Sequence, residues 1–173
     1  MKLNLGAGQE ILAGWVNQDG LKLPGIDAVF DLNKFPYPLD DNTFDEVYAS
    51  HVLEHVVDLP KVLAELKRIC KPGAIIKVRG PHFSCGVSWR DPDHKRLFSI
   101  FTFDYFSDYS FYAPVKFKIK SRKFNFTRTQ FTFLNPILNP ILNSQKSMQA
   151  IYERFFCWLL PAAEVIVELE VLK

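Results

Sequence analysis

MKLNLGAGQEILAGW, residues 1–15, holds the pattern from which the architecture follows: a short apolar strand and then a glycine turn. The apolar run ends at Leu5, and Gly6 and Gly8 come directly after it. Glycine adopts the backbone angles of a tight turn and lets a ligand approach closely. Strands that end in such turns hold nucleotides in α/β proteins, although Ile11 stands where a dinucleotide-binding fingerprint has its third glycine. A cofactor site and an ordinary tight turn both fit these residues.

The composition describes one globular domain. A chain of 173 residues corresponds to about one domain, and its 48% hydrophobic and 23% charged residues exclude a disordered chain. The net charge of +2 gives no argument for nucleic-acid binding. Cys70, Cys85 and Cys157 form neither a disulfide framework nor a metal knuckle, which favours a reducing, cytoplasmic environment.

The chain is predicted to lack a membrane span. Its most apolar stretch, FFCWLLPAAEVIVELEV, is interrupted by Pro161 and three glutamates and is too broken for a helix of about 20 residues. The glycine turn comes too early for a secretory signal. Many of the 16 phenylalanines lie in the C-terminal half, so a peripheral membrane contact stays open.

Residues 1–82 alternate short strands with turns. WVNQD, DAVFDL and the run from Phe44 to Ala49 are predicted strands. LPKVLAELKRICKPG is the clearest helix, because its apolar residues recur at i, i+3, i+4 and i+7 before the Pro72-Gly73 stop. AIIKVRG follows as a buried strand, and this strand–helix–strand order predicts a right-handed parallel crossover.

The pattern changes after residue 82. Residues 82–114, rich in aromatic and polar groups, are predicted to form a substrate cap that is partly helical around 94–107. Residues 115–173 are predicted to hold the strand VKFKIKSRKFNF, a helix near 145–160 and the closing strand AEVIVELEVLK. The sequence thus predicts a single α/β domain with a mostly parallel, Rossmann-like sheet and an antiparallel C-terminal hairpin strand.

The run from His51 to His55, HVLEH, matches the H-x-x-E-H motif of inverted zinc peptidases. On a helix the two histidines would lie one turn apart and share a metal, with Glu54 as a base. Because the run directly follows a buried strand, we predict instead that His51 ends this strand and that His55 begins the next helix. A zinc-dependent hydrolase is therefore only a remote alternative, and no metal site is predicted.

Four stretches occur in the order seen in class I S-adenosylmethionine-dependent methyltransferases: LNLGAG, GWVNQD, VFDLNKFPYPLDDNTFDEVYASHVLEH and ELKRICKPGAIIKVRGPH. Over residues 1–82 the chain closely resembles the methyltransferase type 11 group, and DPDHKRLFSIFTFDYF resembles the segment that follows its core. The resemblance implies S-adenosylmethionine as the cofactor and methyl transfer to a small-molecule or glycan acceptor.

The resemblance also implies where the cofactor lies, at the carboxyl ends of the parallel strands. The glycine turn would pass beneath the amino-acid and ribose portions, Asp19 would accept the ribose hydroxyls, and Asp31-Leu32 would face the adenine. Ser50 and His51 would lie next to the sulfonium. The complete predicted cofactor set is Asn4, Gly6, Ala7, Gly8, Asp19, Asp31, Leu32, Ser50 and His51.

Two departures from the family pattern favour a second interpretation. Asn4 stands where the first strand often carries an acid, and about ten residues between Gly8 and Asp19 leave no room for a full helix, so the N-terminal half is shortened. A methyltransferase-like binding or scaffold protein without catalysis therefore remains the alternative.

Methyl transfer is an in-line displacement that depends on alignment and needs a general base only if the acceptor loses a proton. The candidate bases are His51, His82 and His94, since imidazole titrates near neutral pH. The acceptor is predicted to lie under residues 82–112, whose aromatic side chains either pack in the core or cover the acceptor. An alternative metal cluster in this segment consists of Asp91, Asp93 and His94.

Overall fold

The computed structural model describes residues 1–107 and 113–173. In these residues seven strands form one sheet: β1 Lys2–Leu5, β2 Val16–Asp19, β3 Ala28–Val29, β4 Phe44–Ser50, β5 Cys70–Pro81, β6 Phe117–Asn125 and β7 Glu164–Val171. Their order across the sheet is β3-β2-β1-β4-β5-β7-β6. The first five strands run parallel, and β7 lies antiparallel between β5 and β6. This arrangement confirms the predicted fold class.

Short helices connect the strands. The α-helices are α1 Leu59–Ile69, α2 Gly86–Arg90, α3 Asn135–Leu142 and α4 Lys146–Ile151. Two 3-10 helices span Thr102–Phe106 and Thr132–Leu134, and a π-helical turn, Tyr152–Phe156, continues α4, so that the helix expected near 145–160 is present. No helix among the described residues is both long and apolar enough to cross a membrane.

Helix α1 is the crossover between β4 and β5. Its buried side chains share one face: Leu59, Val62, Leu63, Leu66 and Ile69. The carboxylate of Asp58 caps it by accepting from the Lys61 N–H at 3.0 Å. Thus the helix begins after Asp58, and the expectation that His55 begins it is wrong. The helix also ends before Pro72, because Cys70 already pairs with Phe44 in the sheet.

The chain reverses its direction of travel across the sheet at β1. From β1 it moves outward to β2 and β3, and it then returns to place β4 on the other side of β1. The connections from β1 to β2 and from β4 to β5 therefore run toward opposite edges of the sheet, which makes this a topological switch point, where open α/β sheets form a binding crevice. As expected, no helix lies between β1 and β2.

The turn after β1 approaches the loop after β4 too closely for any side chain. Gly6 has φ +64°, and a Cβ built on it would lie 2.3 Å from Val52 Cγ2. Gly8 also has a positive φ, +51°, but open space surrounds the position of its missing Cβ. Gly6 is therefore required for close packing as well as for backbone conformation.

The described aromatic residues of the predicted cap pack mainly in the core. Phe98, Phe103 and Phe106 are buried in the same cluster as the residues of the sheet and α1. Tyr105 is exposed, whereas Tyr109, Phe111 and Tyr112 lie outside the described residues. The 3-10 helix Thr102–Phe106 is the helical part of the range predicted at 94–107.

The two glycines provide a matched test of this packing. Gly8→Ala places a side chain in the left-handed region and should lower the free energy of unfolding by about 1–2 kcal/mol. Gly6→Ala should lower it further, because the new Cβ also collides with the branched Val52 side chain, which has little freedom to move. Urea unfolding measures both. An equal decrease in the free energy of unfolding for the two variants would show that Val52 moves aside without loss of stability.

Candidate functional site

The first cavity lies at the switch point and is called the glycine cleft here. It has a volume of about 520 Å³ and is bounded by the loops after β1, β2, β3 and β4. Its walls consist of Gly6, Gln18, Asp19, Gly20, Leu21, Asp31, Leu32, Asn33, Lys34, Val52, His55 and Val56. Four of the predicted cofactor residues, Gly6, Asp19, Asp31 and Leu32, therefore meet in one place.

The carboxylate of Asp19 joins two turns of the glycine cleft. One oxygen accepts from the Gly8 N–H at 2.9 Å, and the other accepts from the Leu21 N–H at 3.0 Å. Each carboxylate oxygen has two lone pairs, so both keep the capacity to accept from a bound hydroxyl. Asp19 is thus an anchored acceptor in the wall of the cleft.

The opposite wall is formed by residues that follow β3. Asp31 accepts from the Asn33 N–H at 2.9 Å, and the Asn33 side-chain oxygen accepts from the Val57 N–H at 2.7 Å. These bonds join the loop after β3 to the loop after β4. Asn33 and Val52, which also line the cleft, were not predicted from the sequence. Their positions, close to Asp31 and directly after His51, could have indicated them.

Three other predicted cofactor residues, Asn4, Ala7 and Ser50, do not line the glycine cleft. Asn4 is buried, and its amide donates to the Glu10 carbonyl at 2.7 Å and to the Asn17 side-chain oxygen at 3.0 Å. Ala7 is also buried, and Ser50 is partly buried at the end of β4. The structure thus places Asn4 in the support of the glycine turn rather than in the cleft wall.

A second cavity, called the lateral cavity here, opens beyond the carboxyl end of β5 and the start of β7. Its volume is about 450 Å³. Its lining is mostly apolar, with a few polar groups: His51, Pro81, Cys85, Val87, Phe126, Thr127, Arg128, Thr129, Gln130, Pro161, Ala163 and Glu164. Such a composition, with convergent polar groups in an apolar wall, is typical of small-molecule sites.

His51 directly follows Ser50, the last residue of β4, and adopts the left-handed backbone conformation with φ +53°. Its Nε2 lies 2.7 Å from Glu164 Oε1, and its Nδ1 lies 3.3 Å from Glu54 Oε1. Burial lowers the pKa of His51, but attraction to the Glu164 and Glu54 carboxylates outweighs burial and raises the pKa above its usual value. Non-glycine residues with this backbone concentrate at functional sites.

Glu164 is a buried carboxylate whose hydrogen-bonding capacity is well used. Its Oε2 accepts from Arg79 Nη2 at 2.8 Å and from Asn125 Nδ2 at 3.0 Å, and Arg128 Nε lies 3.3 Å from Oε1. Burial alone would raise the pKa of Glu164, but the hydrogen bonds from His51, Asn125 and Arg79 lower it to about 2. The lateral cavity therefore has a charged polar end.

His82, the second candidate base, lies in the core. Its imidazole has no exposed surface, with Nδ1 2.7 Å from Ser84 Oγ and Nε2 3.0 Å from Glu153 Oε1. A general base must reach the proton that it removes. The structure thus corrects the expectation that His82 faces an acceptor, because the π-helical turn that carries Glu153 covers it.

His94, the third candidate base, packs against the loop after β4. Its Nδ1 lies 2.9 Å from the Ser88 carbonyl oxygen, and its ring meets the His55 ring edge-on with centroids 4.8 Å apart. His94 does not line the lateral cavity. Of the three candidate bases, His51 alone lines that cavity.

Neither metal cluster considered from the sequence is assembled. His51 and His55 lie outside any helix, so the inverted zinc-peptidase geometry does not form. Asp91 and Asp93 are exposed, and the nearer Asp91 oxygen is 3.8 Å from His94 Nε2. A different group brings its ligand atoms together within the described residues: Glu54, His55 and His94.

The chain matches a known domain family over its first half. Residues 3–78 match the family model described as a methyltransferase domain. Sterol 24-C-methyltransferase erg6 of Aspergillus fumigatus is 33% identical over 85 residues, which cover 48% of this chain and 22% of that protein. The chain thus aligns with about a fifth of the length of this curated relative.

Solved structures share the fold over nearly the whole chain. An S-adenosylmethionine-dependent methyltransferase from Archaeoglobus fulgidus has a TM-score of 0.64 at 18% identity, covering 98% of this chain and 85% of that one. Another from Aquifex aeolicus has a TM-score of 0.57 at 14% identity, covering 99% and 81%. The family match over residues 3–78 agrees with the methyltransferase resemblance identified in the sequence, and the solved structures confirm the fold that the resemblance implies.

The Glu164 network predicts a dependence of stability on acid pH. The pKa of Glu164 falls from an ordinary 4.5 to about 2 on folding, so its ionised form stabilises the protein above pH 4.5, and this contribution is lost as the pH falls toward 2. Urea unfolding between about pH 5.5 and 3, where the His51 imidazole is protonated in both states, compares the wild type with Glu164→Gln. The stability difference should narrow as the pH falls; a constant difference would contradict the assignment.

Proposed function

Residues 3–78 match the methyltransferase-domain family, and from this match we propose that the chain transfers a methyl group from S-adenosylmethionine in the glycine cleft to an acceptor in the lateral cavity. One observation carries the proposal: neighbouring residues of the loop after β4 line the two cavities. His51 lines the lateral cavity, whereas Val52, His55 and Val56 line the glycine cleft. In-line methyl transfer requires the acceptor atom to lie about 3–3.5 Å from the methyl carbon, so cavities that share one loop suit it.

The glycine cleft has the groups that this cofactor needs. Asp19 is an anchored acceptor for the two ribose hydroxyls, and charge-assisted hydrogen bonds of this kind are the stronger ones. Leu32 offers an apolar face and Asp31 an acceptor to the adenine. The bare Gly6 backbone lets the cofactor approach the turn, since a side chain there would displace Val52.

The lateral cavity favours a small-molecule acceptor with an apolar body and one polar group. Pro81, Val87 and Phe126 supply apolar wall, and the polar end is formed by His51 and Glu164. The partial similarity to a sterol methyltransferase supports an acceptor of this kind. A glycan, the other acceptor class considered from the sequence, would leave its many hydroxyls against apolar surface.

We assign His51 to the acceptor side of the reaction on the basis of its position. Methylation of an acceptor X–H forms X–CH₃, leaves the cofactor as its sulfide and releases one proton. The His51 imidazole, held between Glu164 at 2.7 Å and Glu54 at 3.3 Å, is the group placed to orient the acceptor, and the released proton passes to water. Glu164, which itself accepts from Arg79 Nη2 at 2.8 Å, fixes the ring orientation.

The cofactor assignment is tested by Asp19→Ala. Loss of two charge-assisted hydrogen bonds, each worth about 1.5–3 kcal/mol, should weaken S-adenosylhomocysteine binding at least tenfold. Calorimetric titration measures the affinity, and thermal unfolding verifies that the variant is folded. Asp93→Ala, which removes an exposed carboxylate outside the cleft, is the control and should bind like the wild type. No heat of binding with the wild type would contradict the proposal.

The acceptor assignment is tested by His51→Gln. Transfer of the labelled methyl group from S-adenosylmethionine is measured with a panel of sterols, phenols and sugars. The variant should lose about 10²-fold in rate and keep its affinity for S-adenosylhomocysteine, since the missing group orients the acceptor. Cys85→Ala changes another residue of the lateral cavity and should retain most of the rate. Undiminished transfer by His51→Gln would place the acceptor elsewhere.

A further inference from the structure

We propose that Glu54, His55 and His94 bind a divalent ion of the zinc class beside the glycine cleft. The loop after β4 supplies Glu54 and His55, and the segment after α2 supplies His94. One ligand atom of each lies within 4.8 Å of the other two. The proposal stands on this geometry and is independent of methyl transfer.

The three ligand atoms are close enough to share an ion. Three points no more than 4.8 Å apart lie within about 2.8 Å of a common centre, whereas zinc takes nitrogen and oxygen ligands at about 2.0–2.2 Å. Each side chain would therefore move by less than about 1 Å to coordinate the ion. Rotamer adjustments of this size need no change in the backbone.

Glu54 is a fully buried carboxylate that lacks a hydrogen-bond partner. Neither of its oxygens accepts a full hydrogen bond among the described residues, and its ion-pair partner, His51 Nδ1 at 3.3 Å, is shared with Glu164. A buried carboxylate whose charge is only partly compensated destabilises a folded protein. A bound cation would provide the compensating charge.

His94 is held in the tautomer that a metal ligand requires. Its Nδ1 lies 2.9 Å from the Ser88 carbonyl oxygen, which only accepts, so Nδ1 carries the proton and donates it. In the neutral imidazole, Nε2 then has a free lone pair. Metal-ligating histidines characteristically donate their other ring N–H to a carbonyl or a carboxylate in this way.

Arg96 connects the two chain segments that supply the proposed ligands, the loop after β4 and the segment that contains His94. Its guanidinium donates to three carbonyl oxygens of the loop after β4, those of Leu53, Val56 and Val57, at 2.7, 2.5 and 3.0 Å. The Lys95 N–H donates to the Glu54 carbonyl oxygen at 2.8 Å. The backbone on both sides of Glu54 and His55 is thereby tied to the chain next to His94.

The ligand set determines the class of metal. Two imidazoles and one carboxylate suit zinc and its transition-metal neighbours, whereas magnesium prefers oxygen ligands throughout. Three protein ligands leave a fourth position for water or another ligand. Because His55 also lines the glycine cleft, the ion would lie in the wall of that cleft.

The test uses the full chain after treatment with a chelator and dialysis, without cofactor. Titration with zinc chloride should show one ion per chain and raise the unfolding temperature, whereas magnesium chloride should do neither. His55→Gln and His94→Gln should each weaken zinc binding more than about tenfold, since even loss of a group behind a ligand weakens it about 10–100-fold. Asp93→Asn, which changes an exposed carboxylate outside this group of ligands, is the control and should bind zinc like the wild type.

Glu54→Gln separates the metal site from a simple ion-pair cluster. If the carboxylate serves a metal, the variant should match or exceed the metal-free wild type in unfolding temperature and lose the stabilisation by zinc. If the wild type takes up no zinc, or binds it with unchanged affinity after His94→Gln, the proposal is wrong and the three side chains pair only with one another. These measurements do not involve the cofactor. If S-adenosylhomocysteine failed to bind, the proposed methyl transfer would be contradicted, but the conclusion about the metal site would not change.

Discussion

The close approach of two loops at the carboxyl edge of the sheet is the constraint on which the site depends. The turn after β1 can lie against the loop after β4 only because Gly6 has no side chain where Val52 packs. Parallel pairing of β1 with β4 places the carboxyl ends of the two strands side by side, and therefore also the loops that follow them. The glycine cleft, the position of His51 beside it and the convergence of Glu54 with His94 all follow from how this loop lies.

Two buried glutamates, Glu164 and Glu54, differ in the number of donors that compensate their negative charge. Glu164 is surrounded by donors from β5, from β6 and from His51 after β4 and is stabilised as a carboxylate, with a pKa of about 2. Glu54 is just as buried, yet neither of its oxygens has a hydrogen-bond partner. His51 lies between the two, at 2.7 Å from one and 3.3 Å from the other. The Glu164 carboxylate is thus compensated by several donors, whereas Glu54 shares its ion-pair partner His51 with Glu164 and has the place for the further cation that we propose.

Local patterns predicted the secondary structure where each element carried its own signal. The 3.6-residue periodicity of α1 and the alternation in β6 are properties of consecutive residues, and both elements are present. The bounds were less accurate: β3 shrinks to Ala28–Val29, and α1 ends where Cys70 joins the sheet. In both cases pairing with neighbouring strands decided the boundary, and such pairing leaves no mark in a short stretch of sequence.

For the site, the sequence by itself indicated the glycine turn, Asp19 and the Asp31-Leu32 pair, because each of these residues lies at or shortly after the end of a strand that borders the cleft. The tertiary structure alone decided which histidine faces a cavity. His51 meets Glu164 across 113 residues of chain, while a glutamate 71 residues away from His82 draws that imidazole into the core. Glu164 reaches His51 only when β7 pairs with β5 and β6, and Glu153 reaches His82 only when the π-helical turn packs beside the end of β5. Contacts between distant residues depend on the path of the whole backbone, and no local pattern encodes that path.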